Sequence, residues 1–342
     1  GGYVHQDRGR EGGIDGACSM TITAKNYAAQ AQAGLKLWAD ATAHLYSKDA
    51  KAVRDLSASI GDAVHFALPD NGRIMEDGLK GLQGIDLRLP YPAITVEYFV
   101  NEKAPWNPET EVSSPKRLAF AYEIPQGMFD DVPEFSEGGV IVFAANFISR
   151  ENGTGGYWGP MPMGLAIPRR WEGRAWLGVQ PSIAPAESGT VFTCVDVPLC
   201  HEIYEQMVDA YGEESAALYA HHDIQDEATA VLELCEALAC SNIESEVIEP
   251  VDQRKNAKRI KQGKLPMYET RRLVIKAPIT RGAASRAQGD SDRQGPREHL
   301  RRGHIRRLQD GRRIWVQSCV VGSRENGVIH KSYAVVGVKE PA

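Results

Sequence analysis

The chain has 342 residues, 42% of them hydrophobic and 25% charged, with 39 Lys and Arg against 45 Asp and Glu. That composition excludes a disordered chain, a collagen-like repeat and a disulfide-stapled miniprotein, and the length suits two domains or one domain with a large insertion. The net charge of −6 averages two unequal parts: Arg254 to Arg313 holds nineteen basic and five acidic side chains, a local +14 that leaves −20 on the other 282 residues.

Residues 1–19 contain six glycines among mixed charges and no apolar run, so they read as a tail or leader, with the fold expected from Met20. From Thr23 to about Phe66, the residues Tyr27, Leu35, Trp38, Ala41, Leu45, Val53, Leu56, Ile60 and Val64 recur mostly at three- and four-residue intervals. This spacing predicts two amphipathic helices broken near Ser47. A short helix is expected over Gly72–Leu82. Pro90 and Pro92 then end helical options, and Ala93–Val100 reads as a strand with Ile94, Val96 and Tyr98 on one face.

Residues 101–190 are rich in Pro, Gly, Trp and Tyr, with strand-like stretches at Arg117–Glu123, Val140–Ile148, Met163–Ile167 and Ala175–Val179. They predict antiparallel strands joined by irregular loops. Helical spacing returns from Pro198, giving expected helices over 198–219 and 225–240. A strand at Ile243–Ile248, a basic helix at Gln253–Gln262 and a strand at Met267–Lys276 follow. Residues 277–298 have almost nothing apolar and read as a surface loop. His304–Leu308 and Arg312–Val321 predict a hairpin turning on Gln309, Asp310 and Gly311, and Tyr333–Val338 a last strand.

Segregated helices and hairpin-connected strands point to an α+β fold: N-terminal helices, a mostly antiparallel sheet, a helical insertion and a basic C-terminal hairpin. The expected organisation is 20–190 followed by 191–342, as two domains or one. Six cysteines without a C-x-x-C pair suit a reducing cytoplasm. The longest apolar runs, such as Gly138–Ala145, are far shorter than the roughly 18 residues of a membrane span, so no membrane partner is expected.

The densest chemistry lies in Pro296–Val316, PREHLRRGHIRRLQDGRRIWV. On a strand His304 and Arg306 share one face, while Ile305 and Arg307 share the other. Across the turn, Arg312 and Ile314 alternate with Arg313 and Trp315. A hairpin could thus project several guanidinium groups beside His304, anchored by Ile305, Trp315 and Val316. Arginine forks match phosphate oxygens, and tryptophan stacks on bases or guanidiniums. Arg301, Arg302, His304, Arg306, Arg307, Arg312, Arg313 and Trp315 are therefore the expected nucleic-acid contacts. The competing reading is that these arginines cover a sheet edge or pair with carboxylates of the same chain. The run RKNAKRIKQGK adds Lys258, Arg259, Lys261 and Lys264, and a groove lined by both elements could follow a nucleic-acid backbone.

Other chemistry has weaker anchors. Cys194, Cys200, His201, His221 and His222 are zinc-ligand types, but their spacing lacks a tight C-x2-4-C pair, so no metal or cofactor is expected. His222, Asp223, Asp226 and Glu227 read as an acidic helix start in preference to a hard-cation site. There is no G-x-S-x-G elbow and no phosphate-cradling loop. A metal-independent nuclease would use His304 or His299 as acid or base and Arg306 to stabilise the phosphorane. Ahead of the nuclease, the second reading is an interaction protein, a homo-oligomer or a host-protein binder joined through acidic and basic halves.

Three stretches resemble a known group as a set: LRLPYPAITVEY at Leu87–Tyr98, LELCEALACSNIESEVIEP with RKNAKRIKQGKLPMYE within Leu232–Glu269, and the terminal PREHLRRGHIRRLQDGRRIWV. Together they resemble a family of uncharacterised bacteriophage and prophage proteins whose chains close on related H-x-R-R-G-H and G-R-x-x-W-V signatures. The resemblance implies an intracellular, phage-linked context. It carries no activity and transfers no catalytic residue.

Overall fold

The computed structural model describes residues 22–74, 85–100, 114–129, 132–149, 155–171, 194–248, 250–275, 297–301, 304–316, 319–321 and 323–328. Two helices open the fold, α1 (Tyr27–Thr42) and α2 (Ser47–Asp62). The strands β1 (Val64–Ala67), β2 (Ile85–Asp86), β3 (Ala93–Phe99), β4 (Lys116–Ile124), β5 (Gly139–Ser149), β6 (Gly156–Pro160), β7 (Met163–Pro168), β8 (Arg170–Trp171) and β9 (Val195–Pro198) follow. The chain continues with α3 (His201–Tyr211), α4 (Glu213–Leu238), β10 (Ile243–Val247), α5 (Gln253–Lys261) and β11 (Thr270–Ile275). Last come β12 (Arg297–Arg301), β13 (His304–Arg307), β14 (Arg313–Val316), β15 (Cys319–Val321) and β16 (Ser323–Val328).

One nine-stranded sheet runs β10-β11-β1-β3-β4-β5-β7-β9, with β6 pairing the C-terminal half of β5. β1 is parallel to β3 and to β11, and the other pairings are antiparallel. The fold is therefore α+β with a mostly antiparallel sheet. Residues after 191 complete the sheet begun before 190, because β11 lies directly against β1.

Helices cover both sheet faces, so the central strands carry apolar residues at consecutive positions, as in the VIVFAA run of β5. Alternate side chains go to opposite layers. On one side, Ile94, Val96, Ala119, Val140 and Val142 meet Ile224, Ala228, Val231 and Cys235 of α4. On the other, Leu118, Phe120, Ile141 and Phe143 meet Leu35 of α1 and Val53 and Ile60 of α2. Close approach of α1 needs Gly34, where an added Cβ would stand 2.6 Å from Cβ of Trp158. Among the described residues, no helix is long and apolar enough to cross a membrane.

Several expected boundaries change. Val64–Phe66 continue the helical spacing of Leu56 and Ile60, but the backbone turns extended at Ala63 and β1 enters the middle of the sheet. The break between the later helices falls at Gly212, with φ of 81°, and not near residue 222. Asp223, Asp226 and Glu227 thus lie within α4 and do not open a helix. β2, β6, β8, β9, β12 and β16 have no counterpart among the expected strands, β12 takes in Arg297 and Glu298 at the end of the expected loop, and Val316 lies opposite His304, off the Trp315 face. The helix expected over Gly72–Leu82 falls largely outside the described residues, as do Ala175–Val179 and Tyr333–Val338.

Candidate nucleic-acid interface

α5 is capped at its start by Asp252, whose carboxylate accepts from the N–H groups of Arg254 (2.9 Å) and Lys255 (3.2 Å). This is the usual work of an Asp N-cap. Lys258, Arg259 and Lys261 occupy the last turn, where cations complement the helix dipole. Gly263, at φ of 69°, turns the chain back along the helix. Asn256 then clamps the returning segment, donating to the carbonyl of Met267 (3.1 Å) and accepting from its N–H (2.8 Å). Arg259 Nε donates to the carbonyl of Leu265. Arg254, Lys255, Lys258, Lys261 and Lys264 remain exposed.

A buried polar anchor holds this segment to the α1–α2 layer. Asn26, in left-handed backbone at φ of 56°, donates to the carbonyl of Pro266 and accepts from the N–H of Tyr268. Glu97 of β3 accepts from the N–H groups of Lys25 (2.7 Å), Asn26 (3.2 Å) and Tyr27 (2.6 Å), fixing the start of α1. Burial raises the Glu97 carboxyl against the pull of those bonds. Beside it, the Tyr268 ring stacks on His65 at 4.6 Å, and His65 Nδ1 meets the Thr95 hydroxyl at 2.7 Å. Burial lowers His65 to about 4, so the imidazole is neutral near pH 7. None of these anchoring residues was expected from the sequence. The only available signal was an Asn ahead of an Ala-rich helix.

The hairpin β13–β14 forms in the register His304–Val316, Ile305–Trp315, Arg306–Ile314 and Arg307–Arg313. Ile305 and Trp315 pack toward α4, against the small cluster of Ala237, Cys240 and Ile243. Asn242 brackets Trp315, donating to its carbonyl (2.8 Å) and accepting from its N–H (2.7 Å). Arg313 points inward to the buried carboxylate of Glu236, and Arg312 bonds Asp310 within the turn. Arg306 and Arg307 are exposed. The backbones of His299 and Arg301 lie in β12, and Arg302 lies outside the described residues.

The two basic elements are anchored to different layers, α5 through residues 265–268 to α1–α2, and the hairpin to α4.

The arginines of the core side have carboxylate partners. α4 buries Glu227, Glu233 and Glu236, and each takes a guanidinium from a different part of the chain: Arg117 of β4, Arg73 after β1 and Arg313. Burial raises Glu227 to about 7 despite Arg117, and raises Glu236 against Arg313. Burial also pushes up the thiols of Cys194, Cys200, Cys235 and Cys240, consistent with packing roles. Among the described residues, no three His, Cys, Asp or Glu converge on a point where a metal could sit.

Comparison of the chain with protein-family models, curated proteins and solved structures gives no match.

Proposed function

We propose that this protein binds nucleic-acid backbone through α5 and the turn after it, with the outer face of the β13–β14 hairpin as a second contact. One contrast carries the reading. Arg73, Arg117, Arg272 and Arg313 each have a carboxylate partner, whereas no carboxylate of the described residues pairs with Arg254, Lys255, Lys258, Lys261 or Lys264. In a chain that carries −20 outside the basic segment, leaving this helix unneutralised favours a polyanionic partner. Arg306, on the strand face opposite Ile305, carries the hairpin's part of the cationic surface, while Arg312 and Arg313 are engaged within the fold. In this reading the protein works in the cytoplasm, as an accessory factor of the phage or prophage kind to which the sequence resemblance points.

The test is a mobility-shift titration of DNA and RNA across a salt series, with the triple variant Lys258→Glu, Lys261→Glu, Lys264→Glu beside the wild type. Neutralising about five phosphates makes affinity fall by roughly 10²–10³ between 50 and 200 mM salt. The variant is expected to lose most of both affinity and salt slope. No retention by the wild type at low salt overturns the proposal. Salt-sensitive oligomers without nucleic-acid retention would instead favour charge-mediated self-assembly.

A further inference from the structure

We infer that a groove between α1 and α2 takes an unpaired base of a nucleic-acid strand whose phosphates run along α5. This inference rests on the α5 reading proposed above and adds to it a preference for single strands.

The groove has a volume of about 430 Å³, within the range of small-molecule sites. Ala29, Gln32 and Ala33 lie on one face of α1 and meet Ser57 and Ala58 of α2, with Leu265 and Pro266 closing one end. That end wall begins at the residue after Lys264, so the groove and the cationic helix form one continuous surface. The wall is held in place by the Tyr268–His65 stack and by the bond from the Tyr268 hydroxyl to Gln32 Oε1.

The groove's chemistry selects a flat, largely apolar group beside an anion. Gln32 Nε2 donates to the carbonyl of Ser57 (3.0 Å), and the Ser57 hydroxyl donates to the carbonyl of Gln32 (2.8 Å). These polar atoms are already bonded, so the alanines, Leu265 and Pro266 are the surface offered to a ligand. Two cations line the groove, Lys36, which is exposed, and Arg54, which is held on Asp40 at 3.0 Å, and the exposed Lys264 precedes Leu265 in the chain. A base could enter while its phosphate meets Lys36 or Lys264, and contact of this kind would tolerate any base identity. A base held in a duplex cannot enter.

The experiment is an anisotropy titration with a labelled oligothymidylate and a duplex of the same length, at one salt concentration. Ala58 is exposed, so Ala58→Leu fills the groove without entering the core. Lys36→Glu removes a lining cation by a second route. The wild type is expected to bind the single strand roughly tenfold more tightly than the duplex, on the scale of the apolar area that one base buries. Both variants are expected to lose that advantage while duplex affinity stays within about twofold. Equal wild-type affinity for the two probes, or single-strand binding unchanged in both variants, overturns the groove inference and leaves the α5 reading standing. Failure of the wild type to bind either probe overturns both.

Discussion

Arg313 of β14 sets its guanidinium on the buried carboxylate of Glu236 in α4, joining residues 77 positions apart. The contact converts one arginine of the basic hairpin from a ligand contact into a structural tie. Together with Trp315 and the Asn242 bracket, it holds the hairpin to the end of α4. Arg313→Ala leaves Glu236 without its counter-charge. The expected loss is about 2–3 kcal/mol, below the full cost of a broken buried pair because Arg313 is partly exposed and Glu236 can take up a proton. Arg312→Ala, which removes only a contact within the exposed turn, should leave stability unchanged. Urea melts of the two variants check this, and equal losses would contradict it.

Glu97 offers a second long-range test. Its two oxygens receive three backbone N–H groups, Lys25 and Asn26 on Oε1 and Tyr27 on Oε2. In Glu97→Gln one of those oxygens becomes an amide NH2, which faces an N–H donor and cannot accept. The expected cost is about 1–3 kcal/mol, with faster hydrogen exchange at Tyr27 and the first turn of α1. Native-like exchange there would show that the carboxylate is not what fixes the helix start.

These two ties also mark the limit of what the sequence reveals. The α1–α2 pair, the strands β3, β4, β5 and β7, the basic helix and the turn of the hairpin follow from local spacing and turn chemistry. β1 was hidden because Val64 continues the helical interval of Leu56 and Ile60 across Gly61. The acidic run around Asp223–Glu227 looked like a helix start, yet Glu227 is buried within α4 against Arg117, 110 residues earlier. Partnership across such separations leaves no local pattern. For the same reason, the basic segment showed where charge concentrates but not that Arg313 is tied inward while Lys258, Lys261 and Lys264 stay open.

Gly34 gives a packing prediction. Its hydrogen faces Trp158 on β6, and a methyl group there would meet Cβ of Trp158 at 2.6 Å, well inside contact distance. Gly34→Ala improves helix propensity but forces α1 off the sheet. The steric cost of overpacking, about 1–3 kcal/mol, exceeds the propensity gain of about 1 kcal/mol. A thermal melt should show net destabilisation, accompanied by a change in Trp fluorescence. A variant more stable than the wild type would place the α1–β6 contact elsewhere.

The pH dependence of stability should contain two opposed contributions, one from each helical layer. Glu227 is raised from 4.5 to about 7, so the folded state binds more protons than the unfolded state across that interval. Its contribution therefore falls as pH rises from about 4.5 to 7. Burial also raises Glu97 and Glu236, which act in the same direction. His65 is lowered from 6.5 to about 4, so the unfolded state binds the extra proton and this contribution grows as pH rises from about 4 to 6.5. The two oppose each other between about 4.5 and 6.5 and flatten the wild-type profile. Glu227→Gln should expose the His65 contribution, making stability rise more steeply with pH across that window. His65→Gln should do the reverse, making it fall. Denaturant melts at half-unit pH steps resolve the two slopes. Parallel profiles for the wild type and both variants would show that neither group titrates differently on folding.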